Sequence, residues 1–169
     1  MRRLLERQPR AWFSVSLTDR APRPGEVDGI DYRFVTREEF ERIRDRGGLL
    51  EWFEVYGDLK GTPREPIEQH LAAGDDVVVE VDVQGALAVR DAFPDAALVF
   101  VRPPSREAQR RRLQERDPGA DPATLDARLT EAEAEEAQAD QFDVVVVNDD
   151  LERAVDEVQA FLEERRRKA

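Results

Sequence analysis

Apolar runs alternate with helical patterns along the second half of the chain. Residues 77–79 and 81 are valines, a nearly continuous β-branched run that is typical of a strand buried on both faces of a parallel sheet. Two further apolar stretches, at residues 96–101 and 142–148, have the same character. Helical patterns separate the three stretches, and this alternation predicts an α/β layer architecture with a parallel sheet.

The helical patterns of this half are predicted at residues 84–93 and 105–116, from residue 122, and from residue 151. In the last of these, the apolar residues that fall on one face are Leu151, Val155, Val158 and Leu162. Such a stripe is typical of a helix that packs against a sheet.

The first third of the chain has a different pattern. Its predicted strands, at residues 11–16, 31–35 and 49–57, are short and half-polar, and no long crossover helix joins them. Thr36 with Glu39 forms a capping box for a helix over 37–47. Thr62, with Pro63 in the first turn, predicts a second helix start. The pattern indicates a small mixed β region inserted in the α/β frame.

Composition narrows the class of protein. The 169 residues suit one domain, and 40% of them are hydrophobic. A net charge of −12 disfavours duplex nucleic acid and anionic membranes as partners. No apolar run approaches the roughly 20 residues of a membrane span, and no secretory leader pattern is present. The lack of cysteine excludes disulfides and thiolate catalysis. We therefore expect a soluble cytoplasmic protein.

Two acidic residues alternate with valines at the predicted end of the first apolar strand. Glu80 and Asp82 are two positions apart, so they point to the same side of a strand. Ligands of open α/β sheets bind beyond the carboxyl ends of the strands. Two acids there can hold a base, a hydroxyl or a magnesium-bound water. The alternative is that they cap a neighbouring helix.

Arginines are gathered in two places. Arg20 and Arg23 lie in "RAPRPGEVDGIDY", a proline-stiffened loop, and guanidinium groups match phosphate oxygens in pairs. The alternative is that both are solvated surface residues. Arg112, Arg116 and Arg128 lie on two successive predicted helices. They are either surface charge or part of a helix pair that closes as a lid over transferring phosphates.

Taken in order, these segments resemble those of guanylate kinases. "FSVSLTDRAPRPGEVDGIDYRFV" is similar to the family's GMP-binding segment, and "EVYGDLKGTPREPIEQHLAAGDDVVVEVDVQGA" continues the similarity. "PPSREAQRRRLQER" resembles the start of the family's lid, and "FDVVVVNDDLERA" resembles its last strand and the helix start after it. The resemblance covers nearly the whole chain.

The resemblance implies a P-loop-kinase-like parallel sheet with flanking helices, in a single domain over residues 1–169. A GMP-binding subdomain of mixed β structure would occupy residues 9–62, and a helical lid would occupy residues 105–128. The remainder would form the core.

The resemblance also implies ATP-dependent phosphorylation of GMP to GDP, in purine nucleotide metabolism and with Mg²⁺. The residues implied to hold the GMP phosphate are Arg20, Arg23, Tyr32 and Lys60. Those implied to line the guanine pocket or its edge are Ser16, Glu51, Thr62, Glu80 and Asp82. Asp82 would also hold Mg²⁺ through water, and Asn148 would contact ATP. Those implied to meet the transferring phosphoryl group are Arg112, Arg116 and Arg128.

One departure from the family concerns the ATP site. The P-loop motif G-x-x-x-x-G-K-[ST] does not occur, since no glycine precedes Gly25. The first residues resemble the second half of the helix that follows a P-loop. Backbone N–H groups at the start of that helix normally hold ATP phosphates. We therefore expect the 169-residue chain to bind ATP poorly and to transfer slowly.

Smaller departures lie near the other implied sites. Lys60 stands where the family has a second tyrosine, and a lysine contacts phosphate as a mobile point charge. Asp19 replaces a threonine and brings a negative charge close to the phosphate site. Glu115 and Asp117 replace glycines at the lid turn, where less backbone freedom would hinder closure.

Three hypotheses follow. The chain is a guanylate kinase that is short at its start, through a misplaced start codon or truncation. Alternatively, it is an inactive module of the same kind that binds a phosphorylated or acidic partner. The third hypothesis is a kinase of another small phosphate ester on the same frame. Glu51, Glu80 and Asp82 favour the first, because a phosphopeptide binder does not need them.

Overall fold

The computed structural model describes residues 1–8, 10–55 and 57–168. Two residues on which sequence predictions fall lie outside these ranges: Pro9, the first residue of the expected GMP-binding subdomain, and Tyr56, in the predicted strand 49–57. The chain divides into two compact units, Met1–Pro94 and Asp95–Ala169. Among the described helices, none is long and apolar enough to cross a membrane.

The described part of the first unit contains four helices and six strands. In chain order they are α1 (Arg2–Arg7), β1 (Ala11–Phe13), β2 (Leu17–Thr18), β3 (Arg33–Phe34), α2 (Arg37–Asp45), β4 (Leu49–Val55), β5 (Asp58–Pro63), α3 (Arg64–Ala72), β6 (Asp76–Val78) and α4 (Val83–Ala92). Those of the second unit are β7 (Val99–Arg102), α5 (Arg106–Arg116), α6 (Pro122–Glu136), a 3₁₀ turn (Ala139–Gln141), β8 (Val144–Val147) and α7 (Leu151–Lys168).

Short polar side chains start several of these helices. Thr36 accepts a hydrogen bond from the backbone N of Glu39 at 3.1 Å, which confirms the predicted start of α2. Ser105 does the same for α5 and Asp121 for α6, whose first turn contains Pro122. These boundaries follow from local chemistry, so they were predictable within one or two residues.

Two sheets form the first unit. β1 pairs with β6 in parallel, and Ala11 lies opposite Asp76. The other sheet has the order β3-β2-β5-β4, in which β2 and β3 are parallel while β5 is antiparallel to both β2 and β4. This sheet confirms the small mixed β region that the sequence predicted.

One face of the four-stranded sheet packs on α2. The buried residues of this core are Leu17, Phe40, Ile43, Leu49 and Leu59. Gly61 of β5 faces the same core, and a Cβ there would lie 2.9 Å from Leu49 Cδ1 and 3.1 Å from Phe40 Cζ. The close approach of these side chains explains why a glycine occupies the middle of a strand.

Strand β5 differs from the sequence expectation. Thr62 and Pro63 were predicted to start a helix, but both lie in β5, and Pro63 is the N-cap residue of α3. Strands β2 and β4 flank β5, and they supply the ladder hydrogen bonds that stabilise an intrinsically poor strand sequence. Flanking strands are a tertiary effect, which a local pattern does not report.

The first apolar strand is also shorter than predicted. β6 ends at Val78, level with Phe13 at the end of its partner β1, and Ser14 N then donates to Val78 O at 2.9 Å. Beyond this point the described residues provide no ladder partner. Glu80 and Asp82 consequently lie after the strand and not within it.

The second unit contains one parallel strand pair. Residues Val99 to Arg102 of β7 lie opposite Val144 to Val147 of β8. The three apolar strands expected in one parallel sheet thus form separate parallel pairs, β6 with β1 and β7 with β8. In α7, Val155 is buried as expected, whereas Leu151 at the helix start is exposed.

Candidate functional site

The face of the four-stranded sheet opposite α2 carries polar side chains. In the ladder, Lys60 lies opposite Thr18, and Thr62 lies opposite Glu51. Cross-strand partners point to the same side of a sheet, so these four side chains share one face. Residues 49 and 51 face opposite sides because the register shifts between them. The shift places Leu49 in the core and Glu51 on the polar face.

Glu51 is a buried carboxylate. The hydroxyl of Thr62 donates a hydrogen bond to its Oε1. Burial raises the pKa of Glu51, the hydrogen bond from Thr62 opposes that rise, and the charge of Asp82 adds to it. A ligand that presents N–H donors would stabilise the ionised form of this carboxylate, so the position is suited to bind such a ligand.

Asp82 reaches this region as the N-cap residue of α4. Its Oδ1 accepts from Gly85 N at 2.8 Å. A Cβ on Gly85 would lie 2.8 Å from Val81 Cβ, so a glycine is needed for this tight start of the helix. The structure therefore brings Asp82 close enough to Glu51 to affect its pKa. Glu80 is exposed in the segment before Asp82.

Arg20 does not project freely from its loop. Its guanidinium forms two hydrogen bonds with the Glu26 carboxylate, Nη1 to Oε2 and Nη2 to Oε1, both 2.6 Å long. Only 8% of the Arg20 side chain and 19% of the Glu26 side chain are exposed. The guanidinium carbon lies 4.8 Å from the ring centroid of Tyr32 and 5.6 Å from that of Phe34. The Arg20 side chain is buried, that of Glu26 is half-buried, and the pair is held on several sides.

Glu26 also fixes the backbone beside Arg23. Its Oε2 accepts from Arg23 N at 2.7 Å, and its own N donates to Arg23 O at 3.0 Å. Gly25 between them has φ +89°, a conformation that favours glycine. Hydrogen bonding from Arg20 lowers the pKa of Glu26 to about 2. Among the described residues, no hydrogen bond reaches the guanidinium of Arg23.

The role of Glu26 was missed at the level of sequence. The available signal was a carboxylate that shares a short, turn-rich loop with two arginines. The sequence pattern indicated only the prolines of that loop as restraints. The structure adds side-chain hydrogen bonds, including one from Val27 N to Asp31 and one from Phe34 N to Asp28, each 2.8 Å.

Asp19 has partners for both carboxylate oxygens. Oδ1 accepts from Leu59 N at 2.6 Å, and Oδ2 lies 3.2 Å from Arg37 Nη1. The same Arg37 nitrogen donates to Gly57 O at 3.0 Å. The negative charge expected near the phosphate site is therefore paired. These contacts join the start of residues 20–32, called the arginine loop, to the turn before β5.

Two other predicted residues of this unit, Lys60 and Ser16, lie in or next to strands of the four-stranded sheet. Lys60 is half-buried in β5, with Phe53 opposite it on β4. Ser16 precedes β2, and its carbonyl accepts from Arg33 N at 2.9 Å. The described hydrogen bonds of Glu51 do not include Ser16 or Glu80.

In the second unit, a pocket of about 230 Å³ gathers several of the predicted residues. Its lining includes Arg102, Arg112, Arg116 and Asn148. Arg112 Nη2 donates to the carbonyl of Asn148 at 2.8 Å. The structure therefore brings together two of the three predicted lid arginines and the predicted ATP contact.

Arg128, the third lid arginine, is paired with Asp117 at 3.2 Å. Asp117 is the C-cap residue of α5 and has φ −139°, so this position does not need a glycine. A second contact, Arg110 with Asp126 at 3.1 Å, also joins α5 to α6. Glu115 is exposed and lies 3.9 Å from Arg111.

The α/β fold, the buried carboxylate and the arginine loop together suit a protein that binds a small phosphorylated ligand with N–H donors. The family model for guanylate kinase matches residues 1–165. The chain is 49% identical to a guanylate kinase of Gloeobacter violaceus over 162 residues, covering 96% of this chain and 78% of that protein. A guanylate kinase of Thermus thermophilus is 48% identical over 167 residues, covering 99% of this chain and 75% of that protein.

A solved structure agrees with these comparisons. The crystal structure of guanylate kinase from Anaplasma phagocytophilum has a TM-score of 0.81 and 35% identity, and the match covers 96% of this chain and 78% of that one. The fold and the comparisons thus define a nucleoside monophosphate kinase, a class of transferase. The chain belongs to the guanylate kinase family.

Proposed function

We propose that this chain binds GMP on the polar face of its four-stranded sheet and transfers to it a phosphoryl group from ATP, giving GDP and ADP. The observation that carries the proposal is Glu51, a carboxylate that is buried beside Thr62 in the same unit as the arginine loop. A carboxylate in that position needs a ligand with hydrogen-bond donors.

Guanine fits this requirement. Its ring N–H and its amino group are adjacent donors, and the two oxygens of Glu51 can accept from both. Adenine does not offer this pair on its corresponding edge. Because burial raises the pKa of Glu51, N–H donors from a bound base would favour the ionised form.

The phosphate is proposed to lie at the arginine loop. Arg23 supplies a guanidinium without a hydrogen-bond partner among the described residues, and Arg20 supplies a fixed charge beside Tyr32. Guanidinium groups bind phosphate through paired N–H donors. Lys60 is proposed to add a further positive charge from β5.

The remaining proposed contacts concern the phosphoryl group and the metal. Phosphoryl transfer depends on positioning and on positive charge, and Arg112, Arg116 and Arg128 are proposed to provide charge. The described residues contain no group of three or more metal-ligating side chains. A single carboxylate suits Mg²⁺, which retains waters and binds substrate phosphates, so Asp82 is proposed to hold it through water. When bound, Mg²⁺ would neutralise charge on the phosphates.

Calorimetry with GMP and with guanosine tests the phosphate site. Arg23→Ala is expected to weaken GMP binding about tenfold or more, because it removes a charge-assisted contact worth roughly 1.4 kcal/mol or more. Guanosine binding should stay the same.

The matched control is Arg42→Ala, which removes an exposed arginine on α2 of the same unit. This variant should bind GMP as the wild type does. Unchanged GMP affinity in Arg23→Ala would show that the phosphate site is assigned to the wrong residues.

A further inference from the structure

Arg20 uses most of its hydrogen-bonding capacity within its own loop. A guanidinium carries five N–H groups. Nη1 donates to both Ala21 O, at 2.9 Å, and Glu26, while Nη2 donates to Glu26. Of the two remaining N–H groups, the one on Nε is buried and has no hydrogen-bond partner. Arg20 therefore cannot reorient toward a ligand without giving up Glu26.

Glu26 connects the two arginines. One carboxylate binds the guanidinium of Arg20 and also the backbone N of Arg23, so both depend on its position. The ring of Tyr32 lies on another side of Arg20, with its centroid 4.8 Å from the guanidinium carbon. The loop thus holds Arg20 rigidly and presents the Arg23 side chain from a fixed backbone.

We infer that Glu26 is a positioning residue for GMP, which orients Arg20 and the Arg23 backbone so that the arginine loop can receive the substrate phosphate. This inference rests on the proposed function. It assigns different tasks to the arginines: Arg20 is the fixed part of the site, and Arg23 is the adaptable one.

Charge alone predicts the opposite effect for Glu26. An anion beside a phosphate site repels the phosphate, so its removal would tighten GMP binding if Coulomb energy decided the outcome. Its removal also frees Arg20, whose long side chain would have to be ordered again on binding. Positioning therefore predicts weaker binding in Glu26→Gln, and simple electrostatics predicts tighter binding.

The experiment measures the ratio of the dissociation constants for guanosine and GMP by calorimetry, because this ratio isolates the contribution of the phosphate. In Glu26→Gln the ratio is expected to fall about tenfold while guanosine binding stays the same. An unchanged or larger ratio would overturn the inference. Glu68→Gln, which neutralises an exposed ion-paired carboxylate on α3, is the matched control and should keep the wild-type ratio.

A double-mutant cycle with Arg20→Ala tests whether Glu26 acts through Arg20. The fall in the ratio for the double variant is expected to be clearly smaller than the two single falls combined, since one of the two groups that Glu26 positions is already absent. Losses that add fully would overturn the inference.

Two further outcomes are separated by the same measurements. If Glu26→Gln also loses guanosine binding, the ratio is measured in Glu26→Asp, which keeps the charge but is one methylene shorter. There the ratio should fall about threefold, and an unchanged ratio would overturn the inference. If the wild-type chain does not bind GMP more tightly than guanosine, it is the proposed function that fails.

Discussion

Each unit of the molecule contains an arginine paired with a carboxylate in a turn, and the two pairs are built differently. In the first unit, Arg20 and Glu26 share two hydrogen bonds of 2.6 Å, and their side chains are 8% and 19% exposed. In the second unit, Arg128 Nη1 lies 3.2 Å from Asp117 Oδ2, and the two side chains are 16% and 32% exposed.

The difference concerns how firmly each arginine is placed before any substrate binds. Two parallel bonds and two aromatic rings hold Arg20, so little order remains to be created on binding. The contact between Arg128 and Asp117 is longer and less buried, and such contacts are exchanged at low cost. A fixed arginine suits a binding site, and an exchangeable one suits the lid that is proposed for residues 105–128.

The largest expected effect tests this contrast directly. Arg20→Ala should lower the free energy of unfolding of the first unit by about 2–3 kcal/mol, because it leaves the half-buried Glu26 carboxylate without its partner. Arg128→Ala should cost the second unit less than about 1 kcal/mol. Both tryptophans, Trp12 and Trp52, lie in the first unit, so urea unfolding followed by tryptophan fluorescence reports on that unit.

Far-UV circular dichroism follows the helices of both units. A transition that it reports without a change in tryptophan fluorescence is assigned to the second unit, which contains neither tryptophan nor tyrosine. Similar costs for Arg20→Ala and Arg128→Ala would remove the contrast between the two pairs. For the same variants, the ratio of the dissociation constants for guanosine and GMP shows whether the rigidity of the arginine or only its charge matters for phosphate binding.

A second substitution, with a smaller expected effect, tests whether the rigidity of the first unit extends beyond Arg20 to Asp19. Asp19→Ala removes the acceptor for Leu59 N and the partner of Arg37, so it should destabilise this unit by about 1–2 kcal/mol. Asp19→Asn keeps an acceptor for Leu59 and should lose less, about 0.5 kcal/mol, since Arg37 is half exposed. Equal losses in urea unfolding would assign the effect to charge and not to the hydrogen bond.

The smallest expected effect has the opposite sign. The pKa of Glu51 is raised in the folded state, so stability is fully present below the ordinary value of about 4.5 and falls as the pH rises through the folded pKa. Glu51→Gln removes this cost and should stabilise the first unit at pH 7 by roughly 0.5–1.5 kcal/mol. The gain should vanish toward pH 4.5, while GMP binding is lost.

Thermal unfolding of Glu51→Gln and wild type across this pH range provides the measurement, with Glu68→Gln as the control. A gain that does not depend on pH would contradict the assignment to the buried charge. The first unit would then differ from the second by its rigid Arg20–Glu26 pair and not by a buried charge at Glu51.

Much of the fold was predictable from local signals. The helix starts at Thr36, Ser105 and Asp121 follow from side chains that bind backbone N–H groups three residues on, and the structure confirms them. The α/β class and the mixed β region follow from apolar periodicity. Strand β5 was missed because Gly61 and Pro63 are poor strand residues that only flanking strands can hold in place.

The sequence predicted which residues belong to the candidate site better than it predicted how they are arranged. Arg20, Arg23 and Glu51 were identified from their segments, and their ligand contacts stay predictions. The partner of Arg20 was not identified, since the loop that it shares with Glu26 also contains Asp28 and Asp31, and the sequence does not say which of the three it pairs with. Asp82 was expected at a strand end, and it is the N-cap of α4 that faces toward Glu51.

The sequence by itself identified the family and the residues available for chemistry, through the resemblance of its segments to guanylate kinases. It also determined the helix starts, because capping and periodicity act over three or four positions along the chain. The tertiary structure alone decided which charges meet. Arg20 pairs with Glu26, Asp19 pairs with Arg37, and Asp117 pairs with Arg128. Ion pairs and strand ladders depend on distances in space. The conformation of the loop sets the distance between Arg20 and Glu26, and Asp19 and Arg37 come together only when the chain has folded.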